Sequence, residues 1–121
     1  MRALLVSIVL LSGCKASNTT DVVCTLEARA GINVTVRDAE TQAGIASIAR
    51  GSATDGAYVD SLRANGSTTS LSGVYERAGT YTIEIRATGY EGYTTTNVRV
   101  LNDVCHVIPQ QLTVNLQKSK S

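Results

Sequence analysis

Hydrophobic and polar positions alternate along most of this chain with a period of two. Ile32, Val34 and Val36 are interleaved with Asn33, Thr35 and Arg37. Successive strand side chains point to opposite faces, so this is the pattern of a half-buried strand. The polar turn Asp38-Ala39-Glu40-Thr41-Gln42 follows, then a second short apolar run from Ile45 to Ala49. Asp55-Gly56 is a hairpin-type turn signal, and Tyr58 to Leu62 is the strand predicted after it. Asn65 to Ser72 is rich in Gly, Ser and Thr and reads as a loop or weak edge strand. The clearest strand is Tyr81, Ile83, Ile85 and Ala87, bounded by Gly79 and Gly89. Tyr93 to Val100 alternates again, with Val98 and Val100 on one face. Leu112, Val114 and Leu116 mark the last strand, and Pro109 sits just ahead of it, where a missing N–H is tolerated. No segment past the first dozen residues carries a 3.6-residue period. Roughly six to eight short strands at this spacing predict an all-β, antiparallel sandwich. The tail Gln117 to Ser121 is expected to fray.

The N-terminus follows a different pattern. Arg2 precedes an apolar stretch, Ala3 to Leu11, and the small residues Ser12 and Gly13 then lead to Cys14. This is the layout of a secretory signal. It is too short for a transmembrane helix, which needs about twenty apolar residues. The run Leu11-Ser12-Gly13-Cys14 resembles a lipobox, the processing site of bacterial lipoproteins. The resemblance implies a signal peptide over residues 1–13 and lipidation at Cys14. Residues 14–23 then form the acylated cysteine and a tether, 24–117 a β-sandwich domain, and 118–121 a polar tail. The polar segment Lys15 to Asp21, seven residues long, reaches at most about 25 Å, so the domain is expected close to the bilayer. Lys15 is not the aspartate that favours inner-membrane retention in enterobacterial lipoproteins. The periplasm-facing outer membrane is therefore the expected location in a diderm host.

Composition narrows the partners. The chain has 121 residues, and removing the signal leaves roughly 108, a single domain. Eleven basic residues face ten acidic ones, and cleavage takes Arg2 away. A near-neutral balance with interspersed signs argues against an electrostatic nucleic-acid footprint and a polybasic membrane patch. Membrane contact is therefore expected through the lipid. Of the three cysteines, assigning Cys14 to lipidation leaves Cys24 and Cys105. Outside the cytoplasm two remaining thiols pair, so a Cys24–Cys105 disulfide is expected.

Gly31-Ile32-Asn33-Val34-Thr35-Val36-Arg37-Asp38 runs into Ala39-Glu40-Thr41-Gln42-Ala43-Gly44-Ile45-Ala46. Glu76-Arg77-Ala78-Gly79-Thr80-Tyr81-Thr82-Ile83 and Ala87-Thr88-Gly89-Tyr90 follow later. These segments resemble carboxypeptidase regulatory-like domains. The resemblance implies a seven-stranded, transthyretin-like Greek-key sandwich. Gln42 stands where that family usually has Gly, and Gly44 where Pro is common. The family is a scaffold for accessory modules, so it implies no chemistry. The transthyretin-like 5-hydroxyisourate hydrolases use several histidines and a C-terminal Tyr-Arg-Gly-Ser. This chain has one histidine and ends Gln117-Lys118-Ser119-Lys120-Ser121.

Candidate chemistry is sparse. His106 adjoins Cys105, but neighbouring strand residues face opposite ways and a bridged cysteine offers no thiolate. Cys24, Cys105 and His106 supply three zinc ligands without a fourth. Asp38, Glu40, Asp55, Asp60 and Asp103 sit in or near turns without calcium-loop spacing and read as solvated turn carboxylates. Glu76 and Arg77 precede a glycine turn, and Tyr90 and Tyr93 flank Glu91-Gly92. These four are the candidate binding surface; the default reading is a turn-stabilising charged pair and two packed or half-exposed tyrosines. The expectation is a membrane-anchored, noncatalytic envelope module without cofactor or metal, with an envelope protein or glycan as partner. A small-ligand or carbohydrate-binding accessory domain is the alternative.

Overall fold

The computed structural model describes residues 23–120; the expected signal segment, Cys14 and residues 15–22 of the expected tether lie outside them. Seven strands form two sheets. They are β1 (Ala30–Asp38), β2 (Ala49–Asp55), β3 (Tyr58–Leu62), β4 (Ser70–Tyr75), β5 (Gly79–Ala87), β6 (Tyr93–Val100) and β7 (Gln110–Leu116). The sheet orders are β4-β1-β7 and β3-β2-β5-β6. The period-two residues of both sheets meet in one core. Ile32, Val34, Val36, Leu71, Val114 and Leu116 from the first face Leu62, Tyr81, Ile83, Ile85 and Val100 from the second. The layers join at one corner, where Arg63 and Ser72 exchange backbone hydrogen bonds of 2.9 and 2.8 Å.

The sequence expectation of a purely antiparallel arrangement is corrected at one pair. β1 and β7 run parallel, from Ile32↔Gln110 to Asp38↔Leu116. The cause is the crossing from β6, which delivers the chain to the end of the molecule where β1 begins. The tail is also corrected. Glu91 N–H donates to Gln117 O at 2.8 Å and Ser119 N–H donates to Gly89 O at 2.9 Å. Residues 117–119 are thus tied to the turn after β5.

Two elements differ in place from the reading of the hydrophobic pattern. Ile45 and Ala46 do enter the core, but through a 3-10 turn, Ala46–Ile48, and the strand begins only at Ala49. Its inward residues are Gly51 and Ala53, small because the opposing side chains are large. A Cβ on Gly51 would lie 2.8 Å from Ile85 Cδ1. The stretch read as a weak edge continues past Ser72 to Tyr75 and is an edge strand. Val74 has φ +58°, so Gly73 and Val74 are buried in succession and the alternation breaks. Asp60 Oδ2 accepts the Val74 N–H at 2.7 Å and holds that conformation.

The first turn accounts for Gln42 and Gly44. Asp38 Oδ1 accepts the N–H groups of Glu40 and Thr41 at 2.8 and 3.0 Å. This closes an Asx-type turn. Gln42 sits at φ +63°, the left-handed conformation for which glycine is the usual residue. Its amide donates to Ala39 O at 3.2 Å, a local compensation that glycine lacks. A Cβ on Gly44 would lie 2.7 Å from Thr68 O, so neither alanine nor proline fits there.

Candidate functional site

The described chain reaches β1 through residues 23–29, which form no strand. Cys24 in this stretch is bridged to Cys105 in the β6–β7 loop, with Cα atoms 5.2 Å apart. This is the expected pairing, inside the distance range a disulfide requires. Asp103 shapes the loop: its Oδ1 accepts the N–H groups of Cys105 at 2.8 Å and His106 at 2.9 Å. These bonds, that to His106 foremost, hold the Asp103 carboxyl below its ordinary range.

Thr25 and His106 each follow a bridged cysteine, so the disulfide brings them together. Thr25 Oγ1 lies 2.9 Å from His106 Nε2, and His106 Nδ1 lies 2.6 Å from Glu76 Oε1. An ionised carboxylate only accepts, so Nδ1 donates to Glu76. Glu76 also accepts the N–H of Arg29 at 2.7 Å and that of Val107 at 3.3 Å. The Arg29 N–H is the main reason its carboxyl is held below the ordinary value, with His106 adding to the effect.

Hydroxyl, imidazole and carboxylate here follow the order used by serine hydrolases. Acyl transfer also needs donors aimed at a developing oxyanion. The N–H groups of Cys105, His106 and Val107 flank the imidazole and already donate to Asp103 or Glu76. The Asp103 carboxylate beside them would repel an oxyanion. The network does fasten three segments: the stretch before β1, the β4–β5 turn and the β6–β7 loop. His106 is 8% exposed, which suits a fastening role. Sequence reasoning missed Thr25 and the Glu76 contact, because neither spacing signals proximity. Only the cysteine pairing pointed to this end of the molecule.

Arg77 belongs to a second cluster. Its guanidinium carbon lies 3.8 Å from the Tyr58 ring centroid. Its Nη1 donates to Tyr81 Oη at 2.8 Å and to Asp55 Oδ2 at 3.2 Å. Tyr81 is fully buried, and its hydroxyl donates back to Arg77 O at 2.8 Å, in the manner of a tyrosine corner. Burial pushes the Tyr81 hydroxyl pKa up, although the arginine opposes the shift. The hydrogen bond to Tyr81 in turn raises that of Arg77.

Tyr90 belongs to a third. Its hydroxyl donates to Asp38 Oδ2 at 2.7 Å, and its ring is half-buried against the core. Asp38 is 3% exposed, and its pKa falls to about 2, first because of Tyr90 and next because of the Thr41 N–H. Tyr93 is exposed at the start of β6. The four candidate surface residues therefore do not converge. Glu76 and Arg77 precede the nine-residue strand β5 and Tyr90 follows it, a separation of about 30 Å.

Four of the five turn carboxylates are engaged: Asp38, Asp60 and Asp103 take backbone N–H groups, and Asp55 takes Arg77, while Glu40 is exposed. Among the described residues no three His, Cys, Asp or Glu side chains are grouped so as to hold a metal ion. Lys118 Nζ lies 3.9 Å from Asp38 Oδ2, which adds a charge to the third cluster. No family model matches the chain, and no curated protein matches it significantly.

Proposed function

We propose that this protein is a membrane-anchored envelope lipoprotein whose β domain is a noncatalytic binding or structural module. The domain is read as a carboxypeptidase regulatory-like, transthyretin-like Greek-key scaffold, for which the seven strands in two sheets are the support. The observation that carries the functional reading is the Cys24–Cys105 bridge. A disulfide belongs to an oxidising compartment. This one fixes the chain ten residues after the lipobox-like Cys14. The same end of the domain carries exposed apolar side chains. Val23 and Val104 line a shallow hollow beside the bridge, and Leu26 is fully exposed next to it. Apolar groups there suit a surface held against a bilayer, which in a diderm host is the periplasmic face of the outer membrane.

The test is Cys14→Ala. In cells fed a labelled fatty acid, the native protein takes up label and fractionates with membranes, and the variant does neither. Several acyl chains give durable anchoring where one is marginal, so loss of the lipid releases the domain. Undiminished membrane attachment of the variant would sink the proposal. The noncatalytic part is tested with a fluorophosphonate probe: labelling that disappears with Thr25→Val would replace it with a hydrolase.

A further inference from the structure

The outer face of the sheet β3-β2-β5-β6 carries an unusual row of like charges. Arg50 on β2 is directly opposite Arg86 on β5. On the other side, β2 and β3 pair as far as Gly51↔Leu62, and Arg50 and Arg63 are the next residue on each chain. Arg50 and Arg86 thus lie side by side on adjacent strands about 4.8 Å apart, and Arg63 follows the end of the third strand, where the chain turns to bridge Ser72. All three are exposed, and all three line one open groove of about 430 Å³. Glu84, Ser52 and Ser61 line the same groove, two residues further along the sheet in the strands' shared register. A second hollow, beside Thr88 and Gly92, continues from Arg50 and Arg86 toward Tyr90.

Like charges directly opposite each other destabilise a sheet. The neutralisation within the protein is small. Arg86 pairs with Glu84, but both side chains are substantially exposed, at 71% and 40%. Exposed pairs of this kind contribute little. Among the described residues no ion pair involves Arg50 or Arg63. Arginine presents a planar fork of donors that fits carboxylate, sulfate and phosphate oxygens. A row of three such forks across the strands calls for a row of oxyanions.

We propose that this groove binds an acidic polysaccharide lying across β3, β2 and β5. The arginines engage its acidic groups, and Ser52, Ser61 and Glu84 engage its hydroxyls. The site deepens the binding-module reading and rests on it for the choice of an envelope glycan. Its position favours a polymer over the headgroups of the bilayer that holds the protein. Gly79 pairs with Val100 at the tethered end, and Arg86 lies seven residues further along β5, about 23 Å away. Single-stranded nucleic acid is disfavoured because its binding surfaces offer aromatic stacking platforms. The groove has none, and the one tyrosine of the adjoining hollow is committed to Asp38.

The test is titration of the full-length protein in detergent with polygalacturonate at low salt, with neutral dextran as control. Binding to polygalacturonate is expected, and dextran is expected not to bind. Arg50→Ser combined with Arg86→Ser should weaken binding by tenfold or more, and Glu84→Gln should strengthen it. Arg99→Ser, opposite Thr80 near the tethered end of the same sheet, should change affinity less than twofold. Rising salt should weaken binding steeply, because exposed charges are screened. Arg50→Ser alone should raise Tm by roughly 2–6 °C through relief of the charge row. Equal binding of dextran, no binding at all, or insensitivity to the Arg50 and Arg86 changes would overturn the proposal. Tighter arginine-dependent binding to a single-stranded oligonucleotide, to polyglutamate or to phosphatidylglycerol vesicles would overturn it as well. Cys14→Ala should bind polygalacturonate as the native protein does, so a failed anchor and a failed groove give different results.

Discussion

At the scale of single residues, the informative side chains are polar ones that the fold has put to structural use. His106 shows this best. It is buried, its two ring nitrogens are both engaged, and its partners come from two distant segments. Alanine there removes both bonds and opens space beside the bridge. The cost should be about 1–3 kcal/mol, the range for buried hydrogen-bonded groups. Thr25→Val keeps the shape and removes one bond, for roughly 0.5–1.5 kcal/mol. The double variant should cost less than the sum, because the residues share one contact. Urea unfolding of the four proteins measures all three quantities. Strict additivity would show that the Thr25–His106 contact contributes nothing. Nothing in the spacing of the sequence signals that Glu76 and Thr25 reach the ring.

At the scale of elements, strands were legible wherever large apolar residues alternate. β1, β5 and β7 could be read from Ile32-Val34-Val36, Tyr81-Ile83-Ile85 and Leu112-Val114-Leu116, because each buries one face and exposes the other. β2 was not legible: its inward positions are Gly51 and Ala53, small to accommodate Leu62 and Ile85. The end of β4 was hidden by the left-handed Val74. The disulfide was legible because two cysteines remain once the lipobox-like Cys14 is set aside. It closes a loop with a sequence separation of 81. In the chain-entropy account such a loop is worth roughly 4–5 kcal/mol, and measured losses on removal run about 2–5 kcal/mol. Reduction should therefore lower the unfolding free energy by that amount, and Cys24→Ala should match it. The stretch 23–29 leads straight out of the domain, so it should be the first segment cut by protease once the bridge is opened. Two free thiols in the oxidised protein, or proteolysis unchanged by reductant, would refute this account.

At the scale of the whole molecule, the three polar clusters set the limits of stability in pH. Asp38 titrates at about 2 in the folded protein against an ordinary 3.8, and Glu76 and Asp103 are shifted in the same direction. A carboxyl whose folded pKa is lowered binds protons more readily when unfolded, so stability rises with pH through that window. The contribution is complete above about pH 5 and is lost progressively as pH falls toward 2. Tyr81 and Tyr90 are shifted the other way, upward from 10.0, by burial and by the hydrogen bond to Asp38 respectively. Their contribution is present below pH 10 and is lost as pH rises further, when ionisation of the Tyr90 hydroxyl removes the donor that Asp38 requires. Thermal unfolding should thus show a plateau of Tm across neutral pH with a fall at each end. The two ends have different causes, and substitution separates them. Asp38→Asn should flatten the acid limb, since the most strongly shifted carboxyl is gone. It should also lower the plateau, because an amide is a weaker acceptor for Tyr90, Glu40 and Thr41. Tyr90→Phe should reduce both limbs at once, as it removes the titrating hydroxyl and the bond that depresses Asp38 most. An acid limb of undiminished depth in both variants would show that the Asp38 turn does not set the acid limit. Glu76 and Asp103 beside the disulfide would then be the groups responsible.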